Sequence, residues 1–287
     1  MKCRISILGA MALCLSLTAN AQLNNPNAIL FDSSGNLWVA NAGDNQVLEL
    51  NPANGSVLNT ITQGLSDPTR LLFVGAELYV LNTVGNNITV YNQLTKAGGN
   101  LVRTISNSSI SKPLAFTIDA YGDIYIGDNF KNTVIALNID DSLIETLTKD
   151  TSGYPFLAPG VLTIHGQDIY AGFGPNVGEN AVISYNVGEF LTNDPKERIV
   201  YNDNVNTGPT AVAFDGSGNI YISEYTSATA VKYAIGHGTT PTLVINQGTG
   251  GCEGIALDKN GNIYVSNSSL NNITVYNSSG TLINTLK

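Results

Sequence analysis

The chain is poor in the residues that metal centres and covalent catalysis use most. It holds three cysteines and two histidines in 287 residues. Cys3 and Cys14 fall in an N-terminal stretch that reads as a leader, so Cys252 is left with no internal disulfide partner. That excludes a disulfide-stapled scaffold, and stability has to come from a hydrophobic core. One cysteine and two separated histidines, His165 and His237, cannot build a zinc site. There is no Gly-x-Ser-x-Gly elbow and no phosphate-binding glycine loop. Charge is scarce and unbalanced: 12% of residues are charged, with 13 Lys and Arg against 22 Asp and Glu. Nucleic acid and anionic membrane surfaces reward clustered Lys and Arg, so neither is an expected partner. Helical periodicity is absent almost everywhere. Beyond residue 21 no segment is apolar enough to span a membrane.

Residues 1–21 carry the pattern of a secretory signal peptide. Lys2 and Arg4 start it, residues 5–17 are apolar, and Ala19-Asn20-Ala21 is a small-x-small cleavage site. The apolar stretch is shorter than the ~20 residues a spanning helix needs. Leu13 is too large for the residue before a lipoprotein cysteine. Export with cleavage after Ala21 is therefore expected, to the periplasm or the exterior. Losing Lys2 and Arg4 takes the formal net charge from −9 to −11. An acidic, soluble monomer is expected, with one domain over residues 22–287.

What the chain does have is a repeat. Residues 35–51, GNLWVANAGDNQVLELN, return nearly unchanged as residues 261–277, GNIYVSNSSLNNITVYN. The repeated unit is an aromatic, a β-branched or small residue, a small residue and a polar one: Trp38-Val39-Ala40-Asn41, Tyr79-Val80-Leu81-Asn82, Tyr125-Ile126-Gly127-Asp128, Tyr170-Ala171-Gly172-Phe173, Tyr221-Ile222-Ser223-Glu224 and Tyr264-Val265-Ser266-Asn267. The last members are spaced by 41, 46, 45, 51 and 43 residues. An apolar run precedes each unit, then a turn that opens on Asp and closes on Gly, such as DSSGN or DKNGN. An alternating strand and a weaker fourth strand follow. Four strands per ~40–45 residues is the signature of a propeller blade. The fold class is all-β: a six-bladed β-propeller with four antiparallel strands per blade. The blades span about 26–64, 65–108, 109–153, 154–204, 205–248 and 249–287. Blade 1 opens on its own inner strand and blade 6 ends on its own outer strand, so the ring closes without strand exchange.

These residues resemble NHL-type and Tyr-Val-Thr-Asn-type β-propeller repeats, best in blades 1, 2 and 6. Blades 4 and 5 carry longer insertions around residues 176–180 and 237–241. The resemblance covers residues 26–287 and implies the fold more than an activity, since such propellers bind proteins, sugars and RNA, and some are hydrolases or lyases.

In a propeller the blade-to-blade loops and the second-to-third strand loops share one face around the channel mouth. Two positions per blade line that mouth. One ends the second strand: Asn41, Asn82, Asp128, Phe173, Glu224 and Asn267. The other just precedes the inner strand: Asn27, Thr69, Leu114, Gly160, Thr210 and Glu253. Asn27, Asn41, Asn82, Asp128, Glu224 and Asn267 are the candidate ligand-binding residues. Asp128, Glu224 and Glu253 are candidate ligands for a divalent cation, with Ca²⁺ first because it takes 6–8 oxygens. Asn and Asp at strand ends also cap turns, and that reading stays open beside the ligand one. Glu is a poor turn former and a poor strand residue, so capping explains Glu224 and Glu253 less well.

A second resemblance bears on Glu253. The gluconolactonase and senescence-marker family, also six-bladed, places a Glu just before an inner strand as a metal ligand. Cys252-Glu253-Gly254 is similar to that arrangement. The Asn and Asp that the family carries before other inner strands are Gly160 and Thr210 here, a departure from the pattern.

Cys252 replaces the Pro found at Pro26, Pro68, Pro113, Pro159 and Pro209, and no histidine partner is in view. His165 takes the turn position that Asp32, Asp119, Asp215 and Asp258 hold elsewhere. The first functional reading is an exported, non-enzymatic propeller that binds a small polar molecule, a glycan or a protein at its mouth. The alternative is a divalent-metal-dependent lactonase or hydrolase using the same mouth.

Overall fold

A computed structural model describes residues 22–95, 98–148, 159–173, 181–186, 198–202, 208–234 and 240–287. The chain forms six four-stranded antiparallel sheets, each with its strands in sequence order, and these are the six blades. The inner strands are Pro26–Phe31, Pro68–Val74, Pro113–Ile118, Pro159–His165, Pro209–Phe214 and Cys252–Leu257. The second strands are Leu37–Asn41, Glu77–Asn82, Ile124–Asp128, Asp168–Phe173, Ile220–Glu224 and Ile263–Asn267. The outer strand of blade 5 shrinks to Leu243–Ile245. Helix among the described residues amounts to two 3₁₀ turns, Ala42–Asp44 and Ser268–Leu270. No helix there is long and apolar enough to cross a membrane.

The alternation of side chains explains why the second strands look apolar throughout. Successive residues on a strand face opposite ways, and both faces of a blade meet a neighbouring blade. In blade 1, Leu37 and Val39 join a core with Tyr264, Ile273 and Val275 of blade 6. Trp38, between them, joins a core with Leu78, Val80 and Tyr91 of blade 2. The same two-sided burial recurs at the other blade junctions.

The Asp-opened turns work through the motif aromatic. Asp32 Oδ1 accepts the amides of Ser34 and Asn36 at 2.8 and 2.9 Å, and its Oδ2 accepts the Trp38 indole N–H at 2.9 Å. Asp119 and Asp215 repeat this with the hydroxyls of Tyr125 and Tyr221. Burial alone would raise the Asp215 carboxyl. Donors from Asn219 and Ser217, with Lys232 at 3.4 Å, more than offset it and hold it at about 2.

His165 departs from the expected turn role. Its inner strand runs on through it, and His165 pairs with Asp168 across a tight Gly166-Gln167 connection. The exposed ring stacks on Phe214, centroids 4.1 Å apart and planes 13° from parallel.

The first and last blades join without exchanging a strand. Phe31 meets Tyr264 edge-on, with centroids 4.9 Å apart. Ser266 Oγ donates to the Asn27 carbonyl. Gly254 is required at this seam, since a Cβ there would stand 2.6 Å from the Asn27 carbonyl oxygen. Leu23, ahead of the first strand, is buried in the same core.

Candidate functional site

The mouth is built on one backbone device used six times. The first residue of each inner strand pairs with the last of the second strand: Pro26 with Asn41, Pro68 with Asn82, Pro113 with Asp128, Pro159 with Phe173, Pro209 with Glu224 and Cys252 with Asn267. A β-bulge follows each pair. A bulge inserts one unpaired residue and re-aims its side chain. Thr69, Leu114, Gly160, Thr210 and Glu253 are those inserted residues, and Asn27 lies in the corresponding bulge of blade 1.

The strand-end side chains are buried. Asn41, Asn82, Asp128 and Asn267 have no exposed surface, and Glu224 retains 2%. Buried polar groups need partners, and here the partners are the loops. Asn41 Oδ1 accepts the amide of Asn24 at 2.7 Å, Asn82 Oδ1 that of Ser66 at 3.0 Å, and Asn267 Oδ1 that of Gly250 at 3.0 Å. Asp128 Oδ2 accepts the amide of Ser111. Every one of these donors lies two residues before an inner strand begins. The amides of Asn82 and Asn267 then donate alike, to Asn87 and Thr89 in one blade and to Asn272 and Thr274 in the other. Glu224, one methylene longer, accepts from Ser227 Oγ at 2.8 Å and Thr229 Oγ1 at 2.6 Å. The five residues come from five blades around one mouth, with their polar atoms engaged in loop brackets. The side chain of Phe173 and residues 176–180 lie outside the described residues, as does His237.

The bulge residues also bond between blades. Thr69 Oγ1 lies 2.7 Å from Thr83 Oγ1, which donates to the Pro113 carbonyl at 2.8 Å. Thr210 Oγ1 donates to the Cys252 carbonyl at 2.6 Å. Glu253 is the exception, with no hydrogen bond to any described residue. Burial is the main cause that raises its carboxyl above the usual glutamate range, and the charge of Arg70 pulls it back.

Arg70 is the residue that the sequence pattern does not reveal. It follows the bulge of blade 2, and its guanidinium extends across the propeller axis. Nη1 donates to the Thr69 carbonyl at 2.8 Å, and Nη2 donates to the carbonyls of Gly160 at 3.1 Å and Thr210 at 3.0 Å. The inner strands present their free edges to the axis, with carbonyls that no further strand can satisfy. One side chain therefore ties blades 2, 4 and 5 together and caps a channel cavity of about 110 Å³. The positive charge that carboxylates around one mouth call for is thus present in the chain itself. Among the described residues no three His, Cys, Asp or Glu side chains stand close enough to share a metal ion. Asp128, Glu224 and Glu253 are not such a group among the described residues.

Cys252 is fully buried, and burial is the main cause that pushes its thiol up to about 12. No thiolate is available to act as a nucleophile at neutral pH.

Among exposed polar loop residues such as Asp44, Asn86, Thr226 and Ser269, four large apolar side chains also stand uncovered at the mouth. Val84, Phe130, Tyr225 and Leu270 are 68%, 72%, 46% and 48% exposed. All four sit in second-to-third strand loops, in blades 2, 3, 5 and 6. The other exposed large apolar side chains, Tyr121 and Val102 among them, are spread over far-face turns and outer strands. The signal for this rim is faint in sequence: one apolar residue in each of four polar loops.

No protein-family model matches the chain. No curated protein matches it either. Solved structures match its shape. Selenomethionine-substituted virginiamycin B lyase from Staphylococcus aureus aligns with a TM-score of 0.65 at 14% identity, over 92% of this chain and 86% of that one. A chain of the nidogen/laminin complex aligns with a TM-score of 0.66 at 15% identity, over 88% and 92%. Hydrazine synthase from Kuenenia stuttgartiensis aligns at 0.62 and 14% identity, over 95% and 89%. At these identities the likeness is one of fold, and it joins proteins of unlike activity.

Proposed function

We propose that this protein is an exported, non-enzymatic propeller of the NHL or Tyr-Val-Thr-Asn type that binds a partner protein through its mouth face. The observation that carries this reading is the rim of Val84, Phe130, Tyr225 and Leu270. Uncovered apolar side chains grouped on one face mark interaction surfaces, and aromatic residues are enriched at interface cores. A small polar molecule or a glycan would want free polar groups, and the side chains of Asn41, Asn82, Asp128, Glu224 and Asn267 already bond to loops. That favours a protein among the three ligand classes. One structural neighbour was solved in a protein complex, that of nidogen with laminin, which fits this use of the fold.

The catalytic alternatives find less support among the described residues. A virginiamycin B lyase with a histidine replaced by alanine is described as catalytically inactive. Here His165 lies on the opposite face, stacked on Phe214. A lactonase would need Glu253 on a metal ion, and Arg70 is the charge that Glu253 senses.

The test compares three immobilised proteins against cell-surface extract of the source organism: wild type, Phe130→Ser with Tyr225→Ser, and Tyr121→Ser on the far face. A partner identified by mass spectrometry should be retained by wild type and Tyr121→Ser and lost with the double variant. Retention by the double variant, with its fold verified by circular dichroism, overturns the mouth-face reading.

A further inference from the structure

On the face opposite the mouth, blades 1 and 2 leave a groove of about 360 Å³ between them. Phe31, Trp38, Phe73 and Leu94 supply its apolar lining, and its charged lining residues are Asp32 and Glu49. Trp38 and Phe73 meet edge to face, centroids 5.8 Å apart.

The two carboxylates are not equivalent. Asp32 is saturated by the amides of Ser34 and Asn36 and by the Trp38 indole. Glu49 Oε1 accepts from Asn36 Nδ2 at 2.7 Å, and Oε2 has no partner among the described residues. Neither carboxylate has a Lys or Arg in ion-pair contact, the described pairs being Arg103 with Asp141 and Lys232 with Asp215. The groove is therefore an aromatic-walled recess with uncompensated negative charge and one open acceptor. Burial raises the Glu49 carboxyl, Asn36 lowers it, and the charge of Asp32 raises it again.

We infer that this groove binds a primary alkylammonium ion, with the ammonium on Glu49 Oε2 and the alkyl chain along Phe73 and Leu94. Charge complementarity selects a cation, and aromatic rings attract one. An ammonium brings three N–H donors to an acceptor-only group. Hard divalent ions fit poorly, since Ca²⁺ takes six to eight oxygens and one carboxylate oxygen is open here. A neutral alcohol has the chain without the charge. This site is independent of the mouth, and neither reading requires the other.

Trp38 is the single tryptophan of the protein, so its fluorescence reports occupancy directly. Titration with n-butylammonium chloride, against NaCl at equal ionic strength, should give a saturable change. Butan-1-ol should not reproduce it. Glu49→Gln should weaken binding at least tenfold without lowering the melting temperature, and Glu253→Gln should leave binding as it is. Ala76→Lys, which sets an ammonium at the groove's edge, should abolish it by competition. Nα-acetyl-lysinamide separates the sources: if it binds as well, a lysine side chain of a partner meets the same chemistry. The inference is overturned if n-butylammonium gives no saturable change, if butan-1-ol gives the same one, or if both folded variants bind like wild type.

Discussion

The side-chain oxygen of Asn271 accepts a hydrogen bond from the backbone amide of Asn25 at 2.7 Å, across 246 residues of sequence. The contact repeats between blades 1 and 2 and between blades 2 and 3. Asn45 Oδ1 takes the amide of Asp67 at 2.7 Å, and Asn86 Oδ1 takes that of Lys112 at 2.6 Å. Each of these asparagines immediately precedes a third strand and is left-handed, with φ of 50–52°. The latch that joins blade 1 to blade 2 and blade 2 to blade 3 also joins the last blade to the first, whereas blade 5 has Ala228 at that position. It supports a ring in which each blade keeps its own four strands.

Asn271 therefore has two separable jobs, tolerating a left-handed backbone and supplying the acceptor. Asn271→Ala loses both and should cost about 2 kcal/mol. Asn271→Gly keeps the backbone conformation and should cost about half of that. Urea denaturation of the two variants measures the difference. Equal stability of Asn271→Ala and wild type would show that the seam core, with Phe31 and Tyr264, closes the ring without the latch.

Cys252 should be unreactive in the native protein. With its thiol pushed up to about 12, about one molecule in 10⁴ carries a thiolate at pH 8. In a chain beginning at Gln22, a disulfide reagent such as DTNB should label it only after guanidinium is added, and dithiothreitol should not move the melting temperature. Labelling in seconds without denaturant would mean that the blade 5–blade 6 junction opens easily.

The architecture was legible because its signals are local and repeated. An Asp followed by Gly and then by Trp or Tyr marks a turn whose carboxylate holds that aromatic, as Asp32 holds Trp38. The strand-end residues were legible as a position around the mouth, while their orientation was not. An asparagine that braces a loop and one that faces a ligand look alike in sequence. Arg70 could not be read at all. It is an ordinary strand residue until ring closure brings Gly160 and Thr210, 90 and 140 residues further on, within reach of its guanidinium. The apolar rim was missed for the opposite reason, since single residues such as Val84 or Leu270 in polar loops carry no period.

Arg70 and Glu253 should show their coupling as a pH dependence of stability. Burial holds the folded-state carboxyl of Glu253 above its ordinary value, and Arg70 limits the rise. A raised carboxyl contributes stability that is complete below the ordinary glutamate value and is lost as pH rises through the folded value. Ionisation of Glu253 therefore costs stability as pH rises, so the stability of Glu253→Gln relative to wild type should grow from about pH 4 to about pH 8. Arg70→Met removes the counter-charge and leaves the carbonyls of Thr69, Gly160 and Thr210 without their donor. It should cost about 2 kcal/mol, and the loss should deepen from about pH 4 to about pH 8 because Glu253 then ionises unopposed. Adding Glu253→Gln to Arg70→Met should flatten that slope and restore part of the loss, leaving the share due to the orphaned carbonyls. Urea melts of the four proteins across this pH range form a double-mutant cycle. If Arg70→Met loses the same stability at both ends of the range, the guanidinium acts on the carbonyls alone and the charge coupling across the axis is absent.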